Sequence, residues 1–173
     1  NASRDESQRG QCCGARTRHV AVRGLSLGVD EGEVLAILGP NGAGKTSFVR
    51  CLSGTSRPTS GVVRIVGHPT PAAHAKGIVG LAPQQDGLWT HLSPEQHLAL
   101  HWALFVEPRA SAQSARAAAN RTLQKFNLLE HAHKLTSRCS GGTCQRLKIA
   151  LALLSRRRRI VFLDEPSCGV DIT

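Results

Sequence analysis

Aromatic residues are scarce in this chain. The sequence contains no tyrosine, and Phe, Trp and Tyr together make up 3% of its 173 residues. This composition argues against the stacking platforms that bind single-stranded nucleic acids. No apolar run approaches the roughly 20 residues of a membrane-spanning helix, and the N-terminal residues lack the apolar stretch of a signal peptide. The sequence therefore predicts a soluble, cytosolic segment with a core of domain size.

Metal-binding cysteine pairs are also lacking. The six cysteines form no C-x-x-C pair, and no histidine stands beside them at the spacing of a zinc site, so we expect free thiols. The 22 Lys and Arg outnumber the 12 Asp and Glu and give a formal net charge of +10. Part of this excess is the run Arg156–Arg159, which predicts a solvated face near a helix end, with acidic lipid or nucleic acid as the alternative partner.

What the chain does contain is a phosphate-binding loop. Residues 39–46 fit the pattern G-x-x-x-x-G-K-[ST], in which glycines let successive backbone N–H groups approach one anion. Lys45 adds positive charge for the outer phosphates, and the Thr46 hydroxyl suits Mg²⁺. The apolar run 34–38 predicts a buried strand before the loop, and 47–52 predicts a helix after it. A glycine-rich turn is the alternative. The candidate nucleotide-binding residues are Gly39, Pro40, Asn41, Gly42, Ala43, Gly44, Lys45, Thr46 and Ser47.

The rest of the chain alternates predicted strands with predicted helices. Residues 1–18 are polar, rich in Arg and Ser, and predict a disordered lead-in. Short apolar or alternating runs predict further strands at 20–29, 62–66, 78–82 and 160–163. Cap residues and apolar spacing predict helices that begin at 93, 111 and 140 and end near 106, 126 and 154.

Acidic side chains follow the strand predicted at 160–163. Asp164 can hold Mg²⁺ opposite a Thr hydroxyl, and Glu165 can orient or deprotonate an attacking water. A surface acidic pair that ends a strand is the alternative. Before that strand, Ser140-Gly141-Gly142 opens a helix whose N-terminal N–H groups can bind an anion, although capping alone would explain the serine.

Together these segments resemble one family. Five segments stand in the order and at the spacing of the nucleotide-binding domain of an ATP-binding-cassette (ABC) protein. They are the phosphate loop, Pro83-Gln84-Gln85, Cys139–Gly142, Ile160–Glu165 and Ser167–Asp171. The stretch 82–89 and the Gly-Val-Asp that ends at Asp171 resemble the A subfamily most, whose full-length members are mostly lipid-moving membrane transporters.

The resemblance implies an α/β fold of the P-loop NTPase class. This fold has a RecA-like ABC core, an N-terminal antiparallel β part and a helical insertion, here a helical subdomain at about 92–139. The domain would span residues 19–173. The switch histidine of the family has no counterpart in the sequence, so we expect the domain to be incomplete at its C-terminal end.

The resemblance also implies ATP and Mg²⁺ as ligands and a role for each motif. Glu165 would be the general base, and Gln84 would be a second catalytic residue that senses the outer phosphate. The implied metal ligands are Thr46, Gln84 and Asp164. The signature residues that would contact ATP bound to a second, facing domain are Ser140, Gly141 and Gly142. Asp171 would lie across that head-to-tail dimer interface.

The chain departs from the family pattern at several positions. Cys139 replaces the signature leucine, Thr143 stands where Gln or Met is common, and Cys168 occupies a position often filled by Ser or Ala. No aromatic residue precedes Phe48 to stack on adenine. His19 is a weak substitute, and a solvated surface histidine is the favoured interpretation of this residue. These departures weaken the expected signature contact and the expected preference for ATP over GTP.

The implied function is ATP binding and hydrolysis as the motor of a membrane transporter, with lipid as the candidate cargo. Its partners would be a second nucleotide-binding domain and transmembrane domains, with this domain on the cytosolic face and no nucleic acid involved. The alternatives are a soluble ABC ATPase acting in translation and a regulatory cassette without hydrolysis. The chain by itself is expected to hydrolyse little or no ATP.

Overall fold

Three helices and a short parallel sheet form the centre of the computed structural model, which describes residues 20–84 and 87–166. The three helices are α3 (Pro94–His101), α4 (Ala112–Lys125) and α5 (Gly141–Leu153). They pack around a cluster in which Leu98, Leu123, Leu128 and Leu147 are all 0% exposed. Alanines on α4 and α5 let the helices approach closely, so the predicted helical region has a well-packed core.

Polar caps fix where these helices begin. The Ser93 side chain accepts a hydrogen bond from the Gln96 N–H, and the Gln96 side chain accepts one from the Ser93 N–H, which completes a capping box. The Ser111 side chain caps α4 by accepting from the Ser114 N–H, and the Ser140 side chain caps α5 by accepting from the Thr143 N–H. The predicted helix that begins at 93 continues beyond α3 as a π-helical segment, Trp102–Val106. Two 3₁₀ turns, Leu129–His131 and Thr136–Arg138, connect α4 to α5.

The sheet aligns two strands that are far apart in sequence. β3 (Val79–Ala82) and β4 (Ile160–Leu163) are parallel, with Val79 opposite Ile160 and Ala82 opposite Leu163. α5 packs closely against β3, since a methyl group on Gly80 would collide with the Ala152 carbonyl oxygen. Because the strands are parallel and in register, the residues that follow them meet at one end of the sheet.

A small hairpin precedes the parallel sheet. β1 (Arg64–Ile65) pairs with β2 (His68–Pro69) in antiparallel orientation. Val66 and Gly67 form its turn with φ of 50° and 75°, the positive values that a tight two-residue hairpin turn requires. The strand predicted at 62–66 is therefore shorter than expected. The chain continues into α2 (Thr70–Ala75).

Two predicted strands are wrong. Residues 20–29 and 34–38 form no strand in the structure, and Val34 and Leu38 are 94% and 90% exposed. An apolar run becomes a buried strand only when a distant segment pairs with it, and a local pattern does not specify that segment. Among the described residues, the antiparallel part of the predicted fold is thus limited to β1 and β2.

The phosphate-loop helix is formed where the sequence places it. α1 (Lys45–Ser53) begins at the loop and ends at Gly54. In the described ranges, no helix is long and apolar enough to span a membrane. The predicted lead-in 1–18, Gln85 and the segment with Asp171 lie outside the described residues.

Candidate nucleotide site

The phosphate loop leads directly into the N-terminus of α1. Gly44, the N-cap residue, has φ of 90°, and a Cβ at this position would strike the Ala21 carbonyl oxygen. No side chain among the described residues caps the helix, so the first N–H groups of α1 have no intrahelical acceptor and no side-chain acceptor within that part of the chain. An uncapped helix start with glycine before it is suited to receive an anion. These features fit the phosphate groups of a nucleotide.

Lys45 is held by the loop itself. Its ammonium donates to the carbonyl oxygens of Gly39 at 2.7 Å and Pro40 at 3.0 Å. These carbonyls satisfy the charge locally and place it over the loop. Lys45 is half-buried, and most of the loop before it is exposed. The ammonium can therefore exchange carbonyl oxygens for phosphate oxygens without breaking a contact elsewhere.

The acidic residues after β4 meet the segment that follows β3. The Gln84 amide donates to the Glu165 carboxylate at 2.5 Å. The Asp164 N–H donates to the Ala82 carbonyl oxygen at 3.0 Å, which extends the sheet pairing by one residue. Asp164 is buried, and Glu165 is half-buried with φ of 51°, a value that residues other than glycine rarely adopt. The two neighbouring acidic residues therefore differ in burial, and the second stands at a strained backbone position.

Two polar residues of α5 support this pair, and neither was predicted from the sequence. Lys148 donates to the carbonyl oxygens of Gln84 at 2.9 Å and Pro83 at 3.3 Å. The Gln145 amide donates to the Glu165 carbonyl oxygen at 3.5 Å. Their spacing of three residues places them on one face of a helix that is otherwise mostly apolar, and this signal was available in the sequence.

The signature segment forms the start of α5. The Ser140 hydroxyl accepts a hydrogen bond from the Thr143 N–H at 3.2 Å and lies 2.8 Å from the Thr143 hydroxyl. Thr143 is buried, whereas Ser140 and Gly141 are exposed and Gly142 is half-buried. The unusual Thr143 therefore supports the cap from within, and the glycines remain accessible at the positive end of the helix.

The structure brings together one part of the predicted site. Gln84, Asp164 and Glu165 lie at the same end of the sheet. The hydrogen bonds of the Lys45 side chain stay within the loop. Thr46 belongs to the first turn of α1. The metal site predicted from Thr46, Gln84 and Asp164 and the contact predicted for Asp171 remain predictions.

Two histidines of α3, one buried and one half-buried, have lowered pKa values. His97 is 2% exposed; its Nε2 accepts from the Trp89 N–H at 2.8 Å, and its Nδ1 donates to the Ser93 carbonyl oxygen at 2.9 Å. Burial lowers the pKa of His97. His101 is half-buried, and burial, reinforced by the charge of Arg158, lowers its pKa to about 4. Both pKa directions favour the neutral imidazole.

The three described cysteines bear out the expectation of free thiols. Cys51, Cys139 and Cys144 form no disulfide with one another or with any other residue that the structure describes. Burial raises the pKa of Cys144, which favours its neutral form. The Cys144 thiol therefore acts as a small packing group rather than a nucleophile.

Comparison with known families decides the class of protein. A family described as ABC transporter matches residues 22–168 of the chain. The chain belongs to the ABC transporter family. The fold is accordingly that of a P-loop NTPase, and the ABC cassette MJ0796 illustrates it. Its dimeric structure in a post-hydrolysis state, bound to ADP and Pi, matches 88% of this chain and 68% of that chain with a TM-score of 0.80 and 27% identity.

Curated relatives place this ABC cassette near subfamily A. ATP-binding cassette sub-family A member 6 of Mus musculus is 32% identical over 169 residues, which is 96% of this chain and 10% of that protein. ABC transporter A family member 8 of Arabidopsis thaliana is 36% identical, over 88% of this chain and 17% of that protein. The glucosylceramide transporter ABCA12 of Homo sapiens is 36% identical, over 88% of this chain and 6% of that protein. The chain thus spans at most about a sixth of these relatives.

Proposed function

We propose that this ABC cassette binds and hydrolyses ATP as the motor of a membrane transporter of subfamily A. The observation that carries the proposal is the contact between Gln84 and Glu165, because it joins a polar side chain after one strand to a carboxylate after its parallel neighbour. A general base must be held in position and must be able to accept a proton. The Gln84 amide holds the Glu165 carboxylate in position, and its release would leave the carboxylate free to accept a proton.

The residues present fit ATP and Mg²⁺. The uncapped start of α1 and the Lys45 ammonium would hold the phosphates, and Thr46, Gln84 and Asp164 would hold the metal. The bound metal would neutralise charge on the phosphates. Lys148 would keep the Gln84 segment in position through the two carbonyl oxygens that it binds. In this arrangement Glu165 would orient the attacking water and take its proton.

A second cassette would complete the site. Ser140, Gly141 and Gly142 lie at an accessible helix start and would contact the outer phosphate of ATP on a facing copy. The structural neighbour MJ0796 is a dimer bound to ADP and Pi, which supports this arrangement. Asp171 would lie at the same interface.

The transport role is inferred from the relatives. Several are named as members of subfamily A, and one is named a glucosylceramide transporter. We therefore propose transmembrane domains as further partners, the cytosolic face as the location of the cassette, and lipid as the class of cargo. Nucleic acid has no part in this mechanism.

Nucleotide binding is tested with Lys45→Ala in the chain itself. Removing the ammonium should weaken MgATP binding by about 100-fold or more, since a charged contact to phosphate is lost. Isothermal titration calorimetry would measure the affinity for MgATP. Arg50→Ala is the matched control, because Arg50 is exposed in the last turn of the same helix. Equal affinity of Lys45→Ala and the unchanged chain would reject the proposed loop.

Hydrolysis is tested in the full-length protein with Glu165→Gln. This variant should keep MgATP binding and lose at least about 100-fold in turnover, the usual size of a general-base contribution. Glu130→Gln is the control, because Glu130 is exposed in a 3₁₀ turn away from the sheet. Normal turnover in Glu165→Gln would remove Glu165 as the base. Absence of turnover in the unchanged protein would favour a regulatory cassette.

A further inference from the structure

A cavity of about 270 Å³ lies beside the segment that presents Gln84, and it is lined by basic side chains. Its polar lining comes from His101, Lys148 and Arg158, and its apolar walls include Leu81 and Leu151. No aspartate or glutamate is among the described residues that line it. Two cations, Lys148 and Arg158, with no carboxylate among the described lining residues leave this part of the lining with unbalanced positive charge.

Arg158 is the least favourable of these groups to bury. Its Nη1 donates to the carbonyl oxygens of Gly77 and Val79. Its Nε is buried and has no hydrogen-bond partner in the described part of the chain. Neither of the two ion pairs found among the described residues involves Arg158. A partly buried guanidinium without a counter-ion is unfavourable, and burial accordingly lowers the pKa of Arg158.

The other two basic groups, Lys148 and His101, also have hydrogen-bonding atoms that are not fully used. Lys148 donates to two carbonyl oxygens, those of Pro83 and Gln84, and an ammonium has three donors. The Nδ1 of His101 is buried without a partner in the described ranges, and its ring lies near enough to Arg158 to be affected by that charge. Three separate elements, α3, α5 and the segment before β4, thus contribute one basic group each.

We infer that this cavity, formed by His101, Lys148 and Arg158, is a binding site for a small oxyanion, a phosphate or a carboxylate. Lys148 and Arg158 together carry two positive charges, which match a phosphate dianion better than a single carboxylate. The volume suits a group of this size and excludes a nucleotide bound whole. The site is distinct from the phosphate loop and does not depend on the proposed ATPase function.

Occupation of the cavity would act on the nearby Gln84 segment. An oxyanion would compete with the carbonyl oxygens of Pro83 and Gln84 for the Lys148 ammonium. Weaker Lys148 bonds would loosen the segment that holds Glu165. The cavity would then let a product or an acidic partner group influence the position of Gln84.

The test is titration of inorganic phosphate into the chain that carries Lys45→Ala, so that the phosphate loop does not contribute. The His101 ring resonances are followed by NMR, with His97 as an internal reference for folding. We expect a saturable shift with a dissociation constant on the order of 1 mM and a rise in the pKa of His101. Absence of a saturable His101 shift would overturn the inference.

Variants separate a built site from general positive charge. Arg158→Gln should weaken phosphate binding about tenfold, the effect of losing one charge-assisted hydrogen bond. Arg156→Gln is the matched control, because Arg156 is exposed in the same basic run. Equal weakening by both variants would overturn the inference. Since Arg158 also supports two backbone carbonyls, Lys148→Gln provides a second variant, which should weaken binding if the site is correct.

The source of the oxyanion is distinguished by two further arms. In the first, acetate replaces phosphate as the probe. Tighter binding of acetate would identify a carboxylate side chain of a partner as the ligand. Tighter binding of phosphate would identify a free phosphate. Asp86 lies outside the described residues, so Asp86→Asn is titrated in parallel. If phosphate shifts the His101 resonances only in Asp86→Asn, the proposal of an external ligand would be overturned, because the chain itself would then fill the cavity.

Discussion

The helical region from 93 to 154 and the segment 20–43 before α1 are both rich in apolar residues, but they bury them differently. In the helical region, Leu98, Leu123 and Leu147 are fully buried. In the earlier segment, Val34 and Leu38 are almost fully exposed. The helical region combines local signals with contacts between its own helices, so its core is complete within about 60 residues. The earlier segment depends on partners that are distant in sequence.

The same contrast divides the candidate site. The part that contains Gln84, Asp164 and Glu165 is held by β3, β4 and side chains of α5. The phosphate loop is held by its own glycines and by the bonds of Lys45 to the loop. One part is therefore positioned by tertiary packing and the other by local geometry. The second can rearrange around a ligand with less loss of structure.

The strongest test of this comparison is the cost of truncating a leucine in each region. Leu147→Ala should lower the free energy of unfolding by about 2 to 5 kcal/mol, because it leaves a cavity in a packed core. Leu38→Ala should change it by less than about 0.5 kcal/mol, because its side chain is already in water. Urea unfolding followed by circular dichroism would measure both. Similar losses in the two variants would mean that 34–38 is packed after all.

Sequence patterns were sufficient where the deciding contacts are local. The three helices could be placed because Ser93, Ser111 and Ser140 mark their starts, and these caps are local hydrogen bonds. The apolar runs 34–38 and 160–163 look alike, but only the second forms a strand. Pairing with β3 distinguishes them, and pairing is a non-local property.

Prediction of the site had the same limit. The loop and the carboxylates could be named from motifs, since their chemistry depends on residue type and order. The supporting roles of Gln145 and Lys148 were missed, because they exist only once α5 packs against β3. The burial of His97 was missed for a similar reason, as its partners Trp89 and Ser93 satisfy it only in the fold.

The second test uses pH, because the packed region holds histidines in the neutral form. Burial lowers the pKa of His97, and it lowers that of His101 from 6.5 to about 4. The unfolded state therefore binds more protons in this range, so the stabilisation is complete above pH 6.5 and is lost as the pH falls towards 4. Allowing for solvent that still reaches His101, the loss should be on the order of 1 to 2 kcal/mol.

The measurement is urea unfolding between pH 7 and pH 4, compared with His101→Gln. This variant removes one titrating group, so its stability should fall less steeply over the same range. Carboxylates that titrate below pH 5 are common to both proteins and cancel in the difference. Identical pH dependence in the two proteins would show that His101 is not held neutral.

The third test compares two helix caps, one structural and one in the candidate site. Ser93→Ala should cost about 1 kcal/mol, since it removes the hydroxyl that accepts the hydrogen bond of the Gln96 N–H in the capping box. Ser140→Ala should cost a similar or smaller amount, because this cap is exposed. In the full-length protein, only Ser140→Ala should also reduce ATP turnover. Equal turnover in the two variants would place Ser140 outside the site.

The smallest expected effect concerns the one ion pair that links the exposed segment to the sheet region among the described residues. Glu31 and Arg159 are 2.8 Å apart, but their side chains are 81% and 49% exposed. Exposed ion pairs contribute little because water and salt screen them and both side chains lose entropy. Glu31→Gln should therefore lower stability by less than about 0.5 kcal/mol, with no difference left at about 1 M salt. A larger loss that persists in high salt would mean that segment 20–43 is anchored by packing, and the contrast between the two regions would then be one of degree.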